Sequence, residues 1–251
     1  QLLARDALRK LVANFSDLSV GAASGELIIG NPAGNGGVGK GMGAYWRYEK
    51  RIRLLESAIH SSVGATGAFL AFRRGLWLGL PQRTIVDDMV LPFQIVRQGF
   101  RVVLDPAALV YDKPSASWMQ EFTRKTRTLA GNFQILYNFG LMGPGLFSPI
   151  SFQFICHKVL RLLGPVLLIA MFLGAYRAHH ESLVENNPRW VLVYGVALAV
   201  QGGLYASALL GSLADLLRLR LPLILVPYLF CLTQVAVCCG FLGFRSGRGG
   251  A

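Results

Sequence analysis

Two aspartates stand side by side at positions 87 and 88, directly after the apolar pair Ile85 and Val86. Carboxylates this close cannot both ionise freely, so the charge of one raises the pKa of the other and leaves an oxygen ready to take a proton from a hydroxyl. The pair also suits a helix start, where an Asp satisfies orphan N–H groups, and the two roles are compatible. Further on, Arg124, Lys125 and Arg127 form a cationic cluster. Arg124 and Arg127 are spaced i, i+3 and share a helix face. Paired guanidiniums suit a diphosphate, because each donates two parallel hydrogen bonds to anionic oxygens. The other reading is a basic face beside a membrane surface.

These groups need elements to hold them. Ala7, Leu8, Leu11, Val12 and Phe15 recur at helical spacing, and SVGAASGELIIG mixes turn signals with a strand. GNGGVGKG at 34–41 comes within one residue of a phosphate-binding loop, with Gly41 where Ser or Thr would hold magnesium, and GKGMGA also fits G-x-G-x-x-A. Both motifs require a strand running straight into a helix N-terminus. Asn31 and Pro32 break that run, which favours a plain loop. AYWRYEKRIRLLESAIH, 44–60, combines aromatics, Arg47, Lys50, Arg51 and Arg53 with an apolar stripe, as an interfacial helix does and as an ordinary amphipathic surface helix also does. GAFLAFRR at 67–74 predicts a buried strand, TIVDDMVLPFQIVRQG a short helix opening on the acidic pair, FRVVLDPAALVYD two short strands, and SWMQEFTRKTRTLAGNFQILYN a long basic helix. Alternating strands and helices predict an α/β layer domain.

The remainder has another solvent. The 251 residues are 53% hydrophobic and 15% charged, with mean hydropathy +0.45, which is too apolar for an ordinary soluble domain. Three apolar runs, 159–176, 190–211 and 221–244, each approach the ~20 residues a membrane-spanning helix needs. SPISFQFICHK is too short to span and suits the bilayer surface, so the predicted organisation is 1–143 globular, 144–157 interfacial and 158–251 transmembrane. Lys158, Arg161, Arg218 and Arg220 place the globular part in the cytoplasm by the positive-inside rule, with Arg245 and Arg248 opposing. The net charge of +12 is spread over both regions without Lys/Arg-rich runs, which fits anionic lipid and a phosphorylated substrate and argues against nucleic acid. Cys156, Cys231, Cys238 and Cys239 form no C-x-x-C pair, and His179 and His180 have no partner at ligand spacing, so no metal site is expected from them.

From residue 1 to about 165 the sequence resembles the second half of the catalytic domain of membrane-embedded family 2 glycosyltransferases, the group of hyaluronan, chitin and cellulose synthases and ceramide glucosyltransferases. The resemblance rests on VDD at 86–88, ATGAFLAFRR, RKTR at 124–127, and VGKGMGAYWRYEKRIR ahead of them. It implies a partial GT-A domain, of the nucleotide-diphospho-sugar transferase type, followed by transmembrane helices. It also implies inverting transfer of a sugar from a nucleotide-diphosphate donor of UDP type to a polysaccharide or glycolipid hydroxyl at the cytoplasmic membrane face. Asp88 becomes the base with Asp87 beside it, Thr66 and Gly67 lie nearest the acceptor, and Arg124, Lys125 and Arg127 serve the diphosphate.

The family's tryptophan after the arginine is Thr128 here, and its Asp-x-Asp metal motif does not occur in this stretch. A divalent cation, Mg2+ or Mn2+, is therefore expected to bind upstream of Gln1, and the fragment alone is expected to be inactive. Two rival readings are transfer of a single sugar to a lipid such as ceramide, and a non-enzymatic membrane transporter or scaffold. The apolar runs carry only Gln201, Gln234 and flanking charges, with no Asp, Glu, Lys, Arg or His in their middles, which counts against a transporter.

Overall fold

The computed structural model describes residues 1–29, 40–113, 118–217 and 222–247, so most of the glycine stretch 34–41, together with Arg218, Arg220 and Arg248, lies outside the described residues. Two compact units result: Gln1–Arg161 with Gly240–Ala251, and Leu162–Cys239.

The first unit is built on a mixed sheet of strands β1 (Leu2–Leu3), β2 (Val20–Ile29), β3 (Leu70–Phe72) and β4 (Arg101–Asp112). Their order is β1-β4-β2-β3, with β2 and β4 parallel and the outer two antiparallel to their neighbours. Side chains alternate across the pleat. Ala22 and Val102 therefore face a core under helix α3 (Asp87–Arg97), where Val90, Phe93 and Ile95 are fully buried. Ala23 and Val103 face the opposite side, under Leu11 of helix α1 (Ala7–Ala13) with Phe15 and Phe69.

Two strand expectations need correction. The pair of short strands in FRVVLDPAALVYD is one 12-residue strand, β4. Its register jumps from Gly25↔Asp105 to Glu26↔Leu109, because Pro106 has no N–H for the ladder and the chain bulges around it. Gly25 makes room, since a Cβ there would meet the Ala108 carbonyl at 2.5 Å. The buried strand expected over 67–74 shrinks to Leu70–Phe72, a half-exposed strand at the edge of the sheet.

Helix α2 (Lys40–Ile59) turns three of its charged side chains inward and leaves Arg47, Lys50 and Arg51 exposed. Glu49, Arg53 and Glu56 recur at i, i+4 and i+7 on one face, and the Glu49 and Glu56 side chains are 13% and 6% exposed. Tyr48, Leu55 and Ile59 are exposed instead. The α2 end and the loop after it complete the open edge of β4 with hydroxyls: Leu104 N–H donates to Ser57 Oγ at 2.9 Å and Val102 N–H to Ser61 Oγ at 3.0 Å. Helix α4 (Trp118–Tyr137) precedes the short helices α5 (Phe139–Met142) and α6 (Ser151–Phe154), a π-helical turn at Ile155–Val159, and α7 (Leu160–Leu162). Between and on these, Leu146, Phe147 and Phe152 are strongly exposed.

In the second unit, helices α8 (Gly164–Val184) and α9 (Pro188–Leu216) precede α10 (Pro222–Arg245), whose last residues group with the first unit. Among the described residues two helices are long and apolar enough to cross a membrane, Pro188–Ala214 and Val226–Arg245. A third span exists only if Ser151–Leu162 and Gly164–Val184, bent by 63°, are one span. Pro165, near the start of α8, has no N–H with which to continue the preceding helix.

Candidate active site

The acidic pair opens α3, but the cap position falls to Val86, with Asp87 and Asp88 in the first turn. Asp87 Oδ1 accepts the Asp88 N–H at 3.0 Å, which satisfies one orphan donor, and both carboxylates complement the positive end of the helix. Pro92 sits four residues after Asp88 and cannot donate to its carbonyl. The Ala65 N–H takes that acceptor at 2.8 Å. This bond draws the segment Ala65–Gly67 against the carboxylate. A Cβ on Gly67 would lie 3.3 Å from Asp88 Cβ and 3.6 Å from its Oδ2.

Thr66 is buried next to them. Its N–H donates to Ser24 Oγ at 2.7 Å and its hydroxyl accepts from Arg53 Nη2 at 3.0 Å, so both polar groups are committed to protein partners. Arg53 Nη2 also lies 3.3 Å from the Gly64 carbonyl, while its Nε has no hydrogen-bond partner among the described residues. Burial holds the Arg53 guanidinium below its ordinary pKa, against the opposing pull of Glu49, Glu56, Asp88 and Glu26. Burial pushes the Asp88 carboxyl above the usual carboxylate range, and Asp87 adds to this; Arg53, Lys158 and Arg127 work against it. A carboxyl so raised is a better proton acceptor than an ordinary aspartate once ionised.

Helix α4 is fixed to the acidic pair by residues that the sequence reading passed over. Gly131 lets α4 come so close to Val86 that a Cβ would lie 2.6 Å from its methyls. Gln134 accepts the Ile85 N–H at 3.0 Å and donates to the Arg83 carbonyl at 2.8 Å. Arg127, one turn before Gly131, is thereby brought within electrostatic reach of Asp88. Arg124 is directed elsewhere, to both oxygens of Glu121 at 2.7 and 2.9 Å. Lys125 feels Glu121 and Glu49, and burial lowers its pKa. The two arginines share a helix, but Arg124 is engaged by Glu121 while the charge of Arg127 is felt at Asp88.

A second group adjoins this site. Both ring nitrogens of His157 face carboxylates, Nδ1 to Glu56 Oε1 at 2.7 Å and Nε2 to Glu49 Oε1 at 3.0 Å. Glu49 also receives Lys158 at 2.9 Å and Arg161 at 3.1 Å. Burial alone would raise the Glu49 carboxyl, but the His157 hydrogen bond and the Lys158 and Arg161 charges hold it well below the usual range. The Glu49, Arg53, Glu56 spacing was the available signal, hidden by the neighbouring cations of an apparently interfacial helix. Among the described residues no three His, Cys, Asp or Glu side chains are grouped so as to hold a metal ion.

The chain belongs to glycosyl transferase family group 2, whose family model matches residues 1–233. No curated protein sequence matches it. Among solved structures it is similar to the mannosyltransferase PcManGT from Pyrobaculum calidifontis in complex with GDP-Man and Mn2+, with TM-score 0.53 and 19% identity. The match covers 98% of this chain and 59% of that one, so the chain spans well under two thirds of its length.

Proposed function

We propose that the full-length protein is an inverting glycosyltransferase that moves a sugar from a nucleoside-diphosphate donor to an acceptor hydroxyl at the cytoplasmic membrane face. Asp88 accepts the hydroxyl proton as the acceptor oxygen attacks the anomeric carbon, and the nucleoside diphosphate departs on the opposite side. Arg127, with Lys125, stabilises the leaving diphosphate. Arg124 contributes less, being held by Glu121. Gly67 leaves the space in which the acceptor approaches the base, and buried Thr66 shapes it from behind.

The observation that carries this reading is the raised Asp88 carboxyl held against Gly67 by the Ala65 bond. Membership of the family supports the reaction class. UDP-sugars are the expected donors, and the GDP-Man complex of the similar mannosyltransferase makes GDP-mannose the second to test. A divalent cation, as Mn2+ in that complex, would draw its ligands from outside the described residues. The globular part spans roughly 1–143. The exposed Leu146, Phe147 and Phe152 in the 144–157 segment, and Leu55 and Ile59 on α2, suit the headgroup region of a bilayer entered by the apolar helices.

The test is Asp88→Asn in the full-length protein, with nucleoside-diphosphate release and donor binding measured separately. Lost transfer with retained donor binding is expected, and full turnover would remove Asp88 from the role. Sizing the product separates a polysaccharide from a single-sugar glycolipid.

A further inference from the structure

The Glu49–His157–Glu56 group takes no part in the reaction proposed above, yet it holds the helix whose Arg53 stands behind the base. We propose that Arg53 is a positioning residue: it fixes the Gly64–Gly67 segment against Asp88 and keeps its positive charge beside that segment, and Glu49, Glu56 and His157 lock it in place. This inference rests on the assignment of Asp88 as the base.

Its geometry is specific. One Arg53 nitrogen reaches both the Gly64 carbonyl and the Thr66 hydroxyl, the two sides of the turn whose Ala65 N–H holds the Asp88 carbonyl. Arg53 is thus bonded to the segment on either side of the residue that is bonded to Asp88. Glu56 ties the same segment a second time, its Oε2 accepting the Val63 N–H at 3.2 Å. His157 joins Glu56 to Glu49, two turns apart on α2, from a different part of the chain. A wide π-helical turn at Ile155–Val159 presents His157 and the adjacent Lys158 together to Glu49. Such turns carry one residue beyond the α-helical repeat, which lets successive side chains converge on one target.

Among the described residues, the largest charge effects on the base come from Asp87 on α3, Arg53 on α2, Lys158 on the π-turn and Arg127 on α4. Arg53 in turn faces Glu49 and Glu56 on its own helix, Asp88 on α3 and Glu26 on β2, which is paired with Lys50. Among Arg53, Lys158 and Arg127, Arg53 exerts the largest pull on Asp88. Its removal leaves burial and Asp87 less opposed, so Asp88 holds its proton to higher pH.

The experiment uses the full-length protein in membranes, with nucleoside-diphosphate release from UDP-glucose, UDP-N-acetylglucosamine or GDP-mannose, whichever the wild type turns over. Asp88→Asn is measured first. Retained turnover there overturns the base assignment and this inference with it, whereas lost turnover leaves the Arg53 profiles to decide the inference alone. In Arg53→Gln, the acidic limb of the kcat/KM profile should move up by about one pH unit. In Arg53→Lys, which keeps the charge but not the planar fork, the limb should stay in place while kcat falls about tenfold with little change in donor KM. A merely structural arginine would lower activity equally at every pH, so an unmoved limb in Arg53→Gln overturns the inference. Should Arg53→Gln not fold, wild-type kcat in Arg53→Lys overturns it equally.

Discussion

The Ala65 N–H donates to the Asp88 carbonyl at 2.8 Å because Pro92, four residues further along the same helix, has no N–H to claim it. A residue that ordinarily breaks helices here joins the Gly64–Gly67 turn to the acid. Pro92→Ala restores a competing donor and opens a small gap in a buried site. Kinetics and thermal unfolding of the full-length protein should show turnover reduced several-fold with the fold retained. Unchanged turnover would show that the Ala65 link does not matter to the site.

Gly67→Ala tests the space before the base. The added methyl meets Asp88 Cβ at 3.3 Å, close enough to require a shift of a few tenths of an ångström yet not a collapse. Acceptor KM should rise or kcat fall by about tenfold, roughly the effect of a misplaced reacting group, while donor affinity and thermal midpoint stay near wild type.

Asp88 is held in an environment that disfavours its charge. Because its folded pKa lies above the unfolded value, the native state binds the extra proton between the two, and stability falls as pH rises through that window. Asp88→Asn should therefore raise the thermal midpoint at pH 7 and make little difference below about pH 4, near the unfolded pKa. An Asn variant less stable at pH 7 would contradict the sign.

Glu49 has the opposite sign. Its folded pKa is depressed, so its contribution is present above the unfolded carboxylate pKa and is lost as pH falls through the folded value. Glu49→Gln leaves His157, Lys158 and Arg161 without their shared carboxylate, and breaking such a buried pair costs about 3–5 kcal/mol. Denaturant unfolding at pH 7 checks this, and a loss below ~1 kcal/mol, the range of a surface pair, would place the group in effective contact with solvent.

On α4, Arg127→Ala should weaken product inhibition by the nucleoside diphosphate more than Arg124→Ala does. Arg124 is already bonded to Glu121, whereas Arg127 acts on the Asp88 side. Equal effects from the two would mean that both guanidiniums reach the diphosphate.

Much of this arrangement was legible in the sequence, because it depends on local signals. The acidic pair, the basic helix and the short strand stretches within β2 and β4 all report on neighbours within a few residues. Long-range choices were not legible. Pro106 looked like a break between two strands, and only the pairing of Gly25 and Glu26 across it shows a single bulged strand. Arg53 looked like one more cation on an interfacial helix, because nothing local shows that Glu56 would meet His157, 101 residues away. The i, i+3 spacing rightly put Arg124 and Arg127 on one helix. It could not show that Glu121, three residues before Arg124, claims that arginine first.

The wide turn at Ile155–Val159 leaves a mark that can be sought in evolution. A deletion of one residue there would restore ordinary helical phase and swing His157 away from one of its two acids. Relatives with a shortened turn should therefore have exchanged Glu49 or Glu56 for an uncharged residue, and those with the full turn should have kept both.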